Sequence, residues 1–559
     1  MSMRQFAGKP ALRKHHLGPH PIIRHYLDRM NLRDIIRGSL GGGLHHSLDH
    51  AEVLAVLVHN ILVSRGPMYR IKEWAEGIEP DSLGLTVAQV QCLNDDRIAR
   101  TLEALASERG RNVFFRLALR VIKDFEIQVS RIHFDTTTVS FFGQYEASRS
   151  EPRITRGINK DHRPDLKQLL FGLNVSSDGA VPLLHHIFSG NRTDDSVHVR
   201  NTDLLRHLIG TDEFIYVADS KLCTQKNLEH IAAYGGKFVT IMPRTRKEDQ
   251  DFRKLLRESD EPVIWWKLHE IPNRRRKDEP PNIYQTTTAG PQESTEGYRI
   301  IWIRSSQKIE FDRTGREERI RQAELELREL AAKVGTRTLR TRKAVNDRVR
   351  KILSGNKAAE FFETRIVTFT EIKYRHVRRG RPRPEDPMRK IETRKFRLEA
   401  VQNKEAIRRE AHTDGIFPLI TNSEKVGKRE VLEIYKYQPY LEKRFELTKS
   451  EYCIAPIFLK KPARVVGLLH AYFVAIMLSA LIEREARQAM KERGIKKIAI
   501  LPEGRETTAP TTPRILEKFA NATWYEFQEG GRNVSFPVEL DADQSLLLKL
   551  TGVAAIAYQ

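Results

Sequence analysis

Residues 131–143 of the 559-residue chain read RIHFDTTTVSFFG. Residues with β-branched and aromatic side chains crowd this stretch and Gly143 ends it, which predicts a β-strand. Asp135 places a carboxylate in the middle of that strand, where an ionised group is rarely buried without a partner. A bound cation is one such partner, and the alternative is an aspartate at a strand end that satisfies a turn.

A second stretch of the same kind favours the cation. Residues 213–220 read EFIYVADS, an apolar run that ends in Asp219 and precedes a predicted helix over 224–234. Two carboxylates at the ends of neighbouring strands form a hard-oxygen site suited to Mg²⁺ or Mn²⁺.

The order of the predicted elements places these two strands together. Strands over 131–143, 168–175 and 181–188 read as a meander, after which helix and strand alternate. This is the order of a ribonuclease-H-like α/β sheet, in which the first and fourth strands are neighbours. We therefore expect Asp135 and Asp219 to lie side by side.

The composition points to a polyanionic partner. Lys and Arg number 95 against 73 Asp and Glu, so the net charge is +22 and the pI is near 9.8. Such a surplus indicates nucleic acid or an acidic membrane face. Three cysteines far apart in sequence argue against a disulfide framework and favour a reducing, cytosolic compartment. The first twenty residues lack the apolar core of a secretory signal.

One segment requires a decision about membranes. Residues 465–482 contain only two clearly polar side chains, and eighteen residues are at the lower limit for a spanning helix. No second such segment accompanies it. We predict a buried core helix rather than a membrane span.

The length implies several domains. Changes in pattern along the chain predict a basic, disordered arm, an all-helical N-terminal domain of a form common in DNA-reading proteins, the first part of an α/β core, a large β-containing insertion, the second part of that core, and a small tail domain. The predicted bounds are, in that order, 1–20, 21–125, 126–245, 246–400, 401–493 and 494–559.

The insertion carries features typical of DNA contact. Basic tracts lie at 274–277 and 373–397, the latter containing Arg378 and Arg379, and both are expected to form loops. Trp266 and Trp302 lie on strand-like pieces nearby. Basic loops with aromatics suit backbone contact and base stacking. The alternatives are a solvated charged surface and tryptophans that fill a core.

A third carboxylate follows in the helical region over 428–450. Pro439 is tolerated in a first helical turn, so Gln438 marks a boundary between two helices. Glu442 then lies in the first turn of the second helix, where the helix dipole favours its ionised form.

With Asp135, Asp219 and Glu442, the chain resembles a DDE transposase of a bacterial insertion sequence, in the group named for its YREK signature. Tyr435, Glu442 and Lys449 match that signature at the correct spacing, and Gln438 stands where the arginine is expected. Further pieces that look like this group lie at 163–168, 190–194 and 414–415.

The resemblance implies a ribonuclease-H-like core in which the three acids hold two Mg²⁺ ions, with Mn²⁺ as a substitute. It also implies cleavage of terminal inverted repeats, joining of 3′ ends to target DNA, homodimers or larger homo-oligomers, and a cytoplasmic, nucleoid-associated location without a membrane. Tyr435, Gln438 and Lys449 are then expected at the DNA. Two alternatives remain: a nuclease without strand transfer, and an inactive DNA-binding descendant of a transposase.

Overall fold

The computed structural model describes residues 11–41, 48–145, 151–160, 162–192, 197–259, 261–273, 280–336, 338–377, 387–455, 457–529 and 532–558. The chain divides into two compact units. One comprises Met1–Thr240 with Glu430–Gln559, and the other Ile241–Arg429.

The elements follow in chain order. Up to Ile241 they are β1 (Ala11–His16), α1 (His20–Arg29), α2 (Leu32–Leu40), α3 (His50–Val63), α4 (Ile71–Glu76), α5 (Val87–Gln91), α6 (Asp95–Leu105), α7 (Glu108–Asp124), β2 (Arg131–Phe141), β3 (Lys167–Ser176), β4 (Pro182–Ser189), α8 (His198–Ile209), β5 (Ile215–Ala218), α9 (Gln225–Ala233) and β6 (Lys237–Ile241). The next segment contains α10 (Lys247–Glu258), β7 (Trp266–Ile271), β8 (Asn282–Thr287), β9 (Arg299–Ser305), α11 (Ser306–Lys333), α12 (Arg342–Gly355), β10 (Phe362–His376), β11 (Met388–Gln402), α13 (Lys404–Ala411) and β12 (Ile416–Thr421). The last contains α14 (Lys428–Tyr435), α15 (Gln438–Ser450), α16 (Pro462–Glu492), α17 (Thr512–Glu517), β13 (Thr523–Glu529), β14 (Arg532–Phe536) and α18 (Ala542–Thr551).

The first unit is built on strands in the order β4-β3-β2-β5-β6. β2 pairs antiparallel with β3, and β3 with β4, which is the predicted meander. β2 pairs parallel with β5, and β5 parallel with β6, with α9 as the crossover between the latter two. The first and fourth strands of the predicted ribonuclease-H-like sheet, β2 and β5, are therefore neighbours, as expected.

Helix α16 lies in the core of this unit. It is the one helix among the described residues long and apolar enough to cross a membrane, and 94% of its most apolar window is buried inside the protein. Its apolar stretch is therefore a core helix, as predicted. Gly467 permits close packing against α6, because a Cβ at this position would lie 2.0 Å from the Leu102 carbonyl oxygen.

The two ends of the chain meet in a three-stranded sheet. β1 pairs antiparallel with β13, and β13 with β14. The expectation of a disordered arm through residue 20 is therefore wrong for residues 11–20, which form β1 and the start of α1. Residues 1–10 lie outside the described part of the chain.

The second unit contains the antiparallel strands β12-β9-β8-β7 and, separately, the pair β10-β11. Helices α11 and α12 pack against the base of that pair through Leu327, Leu330 and Val345. The basic tract at 373–397 was expected to form a loop. This expectation is wrong for its described residues, which lie mostly in β10 and β11. The strands were not recognised in the sequence because a ribbon that is solvated on both faces lacks the apolar alternation by which a strand is identified.

Candidate active site

The pairing of β2 with β5 brings two acids together. The parallel register aligns Ile132 with Tyr216 and His133 with Val217. Two residues farther along are Asp135, within β2, and Asp219, which directly follows β5 with extended backbone, so the two residues occupy adjacent positions. Neighbouring strands lie about 4.8 Å apart, so the carboxylates are close neighbours.

Asp135 sits in a partly buried, partly compensated position. Its side chain is 23% exposed, and its Oδ1 accepts a hydrogen bond from the Thr136 backbone N–H at 2.7 Å. The Lys160 ammonium lies 3.4 Å from the same oxygen and donates to the Thr136 carbonyl at 2.7 Å. Burial raises the pKa of Asp135 to about 6, with the charge of Asp219 adding to the rise and the Lys160 ammonium opposing it.

Asp219 ends the run of β5 and begins a short turn. Its Oδ1 accepts a hydrogen bond from the Lys221 backbone N–H at 3.0 Å, and its carbonyl accepts one from the Thr240 hydroxyl at 2.7 Å. The second bond ties the end of β5 to β6. The carboxylate is thus held on a rigid sheet edge rather than on a free loop.

Gln438 attaches α15 to the strand that carries Asp135. Its Nε2 donates to the Phe134 carbonyl at 3.0 Å, and its Oε1 accepts from His133 Nδ1 at 3.2 Å. The side chain is buried. The expectation that Gln438 contacts DNA needs correction, because both ends of its amide are used inside the protein.

Glu442 lies one turn beyond Gln438 on α15 and is exposed. Tyr435, at the end of α14, is close enough to this carboxylate and to the other two for their charges to act on its phenol. The pKa of Tyr435 is raised above its usual range, first by burial and then by the negative charges of Asp219, Glu442 and Asp135. All three predicted acids therefore lie within electrostatic reach of one phenol.

A buried ion pair fixes the middle of α15. Arg444 pairs with Glu483 of α16 at 2.8 Å, and its guanidinium donates to the Gly179 and Ala180 carbonyls at the β3–β4 turn. This contact ties the helix that carries Glu442 to both α16 and the sheet. Nothing in the sequence pattern distinguishes Arg444 from the many surface arginines.

The acids suit a divalent cation in donor type and in charge. Carboxylate oxygens are the ligands that Mg²⁺ prefers, and a cation between two adjacent carboxylates offsets the repulsion of their charges. Across the described residues, however, no three His, Cys, Asp or Glu side chains are grouped closely enough to hold a metal ion. Asp135 and Asp219 form the pair, and Glu442 stands apart from it on the exposed side of α15.

The other residues predicted at the DNA fall into different settings. Lys449 is in the last turn of α15, seven residues beyond Glu442 and on the same side of the helix.

Trp266 is 50% exposed on β7. Trp302 is fully buried, donates from Nε1 to the Pro291 carbonyl at 2.7 Å and packs on Phe252. Base stacking by Trp302 is therefore corrected to a core role. Arg378 and Arg379, like residues 274–277, lie outside the described residues.

Lys160 is the site residue that sequence reasoning missed. It belongs to an irregular segment between β2 and β3 that has no periodic pattern. The sequence held one indication of this segment, because it immediately precedes residues 163–168, which resemble the YREK-signature group. Gln168, the last of these, is buried and donates to the Ile158 and Gly190 carbonyls, which holds the irregular segment in place beside the sheet.

Comparison with known proteins adds distant similarities. Residues 13–119 match a family model described as a domain of unknown function, DUF4277. No curated protein matches the chain. Among solved structures, the piggyBac transposase in a synaptic complex with hairpin DNA is similar with a TM-score of 0.36 and 6% identity, covering 92% of this chain and 82% of that one. The Mos1 transposase in a paired-end complex with the left transposon end is similar with a TM-score of 0.15 and 10% identity, covering 35% and 60%. Similarity at this level assigns neither fold nor activity to the chain.

Proposed function

We propose that this chain is a DDE-type DNA transposase that hydrolyses phosphodiester bonds at the ends of an insertion sequence and joins the 3′ ends to target DNA. The observation that carries the proposal is the adjacency of Asp135 on β2 and Asp219 at the end of β5, together with the attachment of α15, the helix of Glu442, to β2 through Gln438. These are the acids that the sequence resemblance names, and they come from two neighbouring strands and a helix anchored to one of them.

Asp135 and Asp219 would hold the divalent cations, Mg²⁺ or Mn²⁺, with Glu442 as the third acid. Such cations supply Lewis acidity that stabilises charge at the phosphorus and activates water as a nucleophile. The edge of β2 and β5 orients the two carboxylates, and Gln438 attaches α15, which carries Glu442, to the strand of Asp135. Lys449, on the same side of α15, is placed to contact DNA phosphate.

We assign recognition of the terminal inverted repeats to the helices before about residue 125. Helix α7 supports this assignment, because it exposes four arginines to solvent, namely Arg109, Arg111, Arg116 and Arg120. The proposed reaction pairs two element ends, so the working form is a homodimer or larger homo-oligomer acting on DNA in the cytoplasm.

The test uses a supercoiled plasmid that carries the gene with its native flanking DNA. With Mg²⁺ the protein should nick at flanking repeats, and with a chelator it should not. Asp135→Asn, Asp219→Asn and Glu442→Gln should each lower the rate about 10³-fold or more, since charge stabilisation of this kind is worth several kcal/mol.

Glu446→Gln is the matched control. It removes the same charge from an exposed residue one turn farther along α15 and should leave cleavage unchanged. If Glu442→Gln cuts at the wild-type rate, the third acid is wrongly assigned, and Glu433 or Glu430 is next in line, although Glu430 already pairs with Arg131 at 2.5 Å. Pre-cut ends that the protein cannot join to a target would identify a nuclease without strand transfer.

A further inference from the structure

The second unit contains a long two-stranded ribbon that no other strand extends. β10 and β11 pair in an unbroken antiparallel register from Phe362–Gln402 to His376–Met388. Among the strands that the structure describes, each has only the other as a partner. A lone two-stranded ribbon is marginally stable in water.

Only the base of the ribbon is packed. Phe362, Ile366 and Leu398 belong to the core formed with α11 and α12. Beyond the Ile366–Leu398 pair, ten further pairs lead to His376–Met388, and none of their side chains is buried. At about 3.4 Å per residue, this exposed part is ~34 Å long, comparable to one turn of a DNA duplex.

The ribbon is basic, and most of the basic side chains share one face. The two strands carry eight Lys or Arg against four Glu, a net charge of +4. Side chains alternate between faces along a strand, and the register then places six of the eight on one face, together with three of the four glutamates. The net charge is therefore +3 on this face and +1 on the other. The six basic residues are Arg365, Lys373, Arg375, Arg389, Lys395 and Arg397.

Two of these arginines lie directly opposite each other. Arg375 pairs with Arg389 in the register, near the outer end of the ribbon. Like charges at directly opposed positions destabilise a strand pair. Among the described residues neither arginine has a carboxylate within 4.0 Å, whereas Lys373 and Lys395 share Glu371 at 3.2 and 2.8 Å. An external anion at the Arg375–Arg389 pair would remove the repulsion.

We propose that the ribbon of β10 and β11 is an arm that binds duplex DNA, with its basic face in the major groove. A two-stranded β-ribbon fits the width of that groove, and arginine matches both phosphate and the guanine edge exposed there. A second copy of the chain is a poor occupant of this face, because two ribbons packed through it would bring two surfaces of net charge +3 together. The proposal rests on the proposed function, since it assigns a surface to the DNA on which the three acids act.

The first experiment measures affinity for a duplex of about 30 base pairs without divalent cations, between about 50 and 200 mM salt. The variant Lys373→Gln, Arg375→Gln, Arg389→Gln, Lys395→Gln should bind at least tenfold more weakly at the lower salt. The slope of log affinity against log salt should flatten by about 0.9 for each DNA phosphate that the variant no longer neutralises. Arg375→Lys with Arg389→Lys keeps the charge and should retain most of the binding.

The matched control removes the same charge from exposed residues of α11 and α12 in the same unit, as Arg319→Gln, Arg321→Gln, Arg328→Gln and Arg350→Gln. It should bind DNA like the wild type. Equal losses of affinity in the control and the ribbon variant would show an effect of net charge alone and overturn the proposal, as would wild-type affinity in the ribbon variant. Binding is measured without divalent cations and is therefore independent of cleavage. A protein that binds DNA through the ribbon but does not cut it with Mg²⁺ would refute the proposed function and leave this proposal standing.

A second experiment tests the groove. In a duplex whose cytosines carry glucosylated hydroxymethyl groups, the glucose fills the major groove. Netropsin bound to an unmodified duplex occupies the minor groove instead. The glucosylated duplex should bind the wild type as weakly as the ribbon variant binds unmodified DNA, with netropsin having little effect. The reverse pattern would overturn the assignment to the major groove.

Discussion

The Gln438 side chain donates a hydrogen bond to the main-chain carbonyl of Phe134, the residue directly before Asp135, at 3.0 Å. Through this contact the helix that carries Glu442 is attached to the strand that carries the first acid. His133 Nδ1 donates to the other end of the same amide. One buried side chain thus sets the position of the helix that carries Glu442 relative to the strand that carries Asp135.

Gln438→Ala should therefore impair cleavage without weakening DNA binding. The change removes both hydrogen bonds of a buried amide and leaves the buried His133 N–H without this acceptor, which costs about 1–3 kcal/mol in the free energy of unfolding. We expect a lower melting temperature, cleavage reduced at least tenfold, and an unchanged dissociation constant for duplex DNA. Weaker DNA binding at an unchanged melting temperature would instead mean that Gln438 faces the DNA.

The adjacency of Asp135 and Asp219 could be predicted from sequence, whereas the attachment of α15 could not. Strand order follows from the succession of apolar runs, because a meander followed by a right-handed crossover leaves few topologies. The partner of Gln438 is a main-chain carbonyl, which carries no sequence signature. Lys160 escaped notice for a related reason, since its position depends on an irregular segment rather than on a periodic element.

The tryptophans of the second unit show a different limit. Trp266 and Trp302 both lie on short apolar runs, and a run alone does not reveal which face of a sheet is covered. The structure buries Trp302 and leaves Trp266 half exposed. Strands β10 and β11 show the reverse, because they form by backbone pairing although they have no apolar face that a sequence pattern could reveal.

These two tryptophans should separate stability from DNA processing. Trp302→Ala removes a fully buried ring and its hydrogen bond to Pro291, and should lower the free energy of unfolding by about 3–5 kcal/mol. Trp266→Ala should change stability by less than about 1 kcal/mol. We further expect Trp266→Ala to spare the first nick and slow later processing of the cut end. Normal end processing by Trp266→Ala would remove the stacking role from this residue as well.

A buried histidine pair should make the fold sensitive to acid. His185 Nε2 lies 2.6 Å from His470 Nδ1. Burial lowers the pKa of His185 well below its usual value and that of His470 to about 3. Because the folded pKa values lie below that of the unfolded chain, near 6.5, the stabilisation is complete above pH ~6.5 and is lost as the pH falls below it.

His470→Gln should reduce that sensitivity. Glutamine keeps a hydrogen-bonding group but binds no proton in this range, so the loss of unfolding free energy between pH 7 and 5 should shrink by about 2 kcal/mol. Urea denaturation at the two pH values measures the difference. The exposed His207→Gln is the control and should leave the loss as in the wild type. An identical loss in His470→Gln and wild type would exclude this histidine as a source of the acid sensitivity.

Lys160 should compete with a divalent cation for Asp135. Its ammonium lies 3.4 Å from Asp135 Oδ1 and is held there by the carbonyl and hydroxyl of Thr136. Lys160→Met leaves the two neighbouring carboxylates without this positive charge, and should lower the free energy of unfolding without divalent cations at pH 8 by about 1 kcal/mol. Added Mg²⁺ should then stabilise Lys160→Met more than the wild type, because a ligand that binds only the folded state stabilises it according to its affinity. Thermal unfolding across a Mg²⁺ titration measures both effects, and Lys160→Arg should behave like the wild type.

In an Asp135→Asn background, adding the Lys160→Met change should make no further difference to the stabilisation by Mg²⁺, since the carboxylate charge that the ammonium and the cation share is gone. Equal stabilisation of wild type and Lys160→Met by Mg²⁺ would show that the ammonium and the cation do not share Asp135.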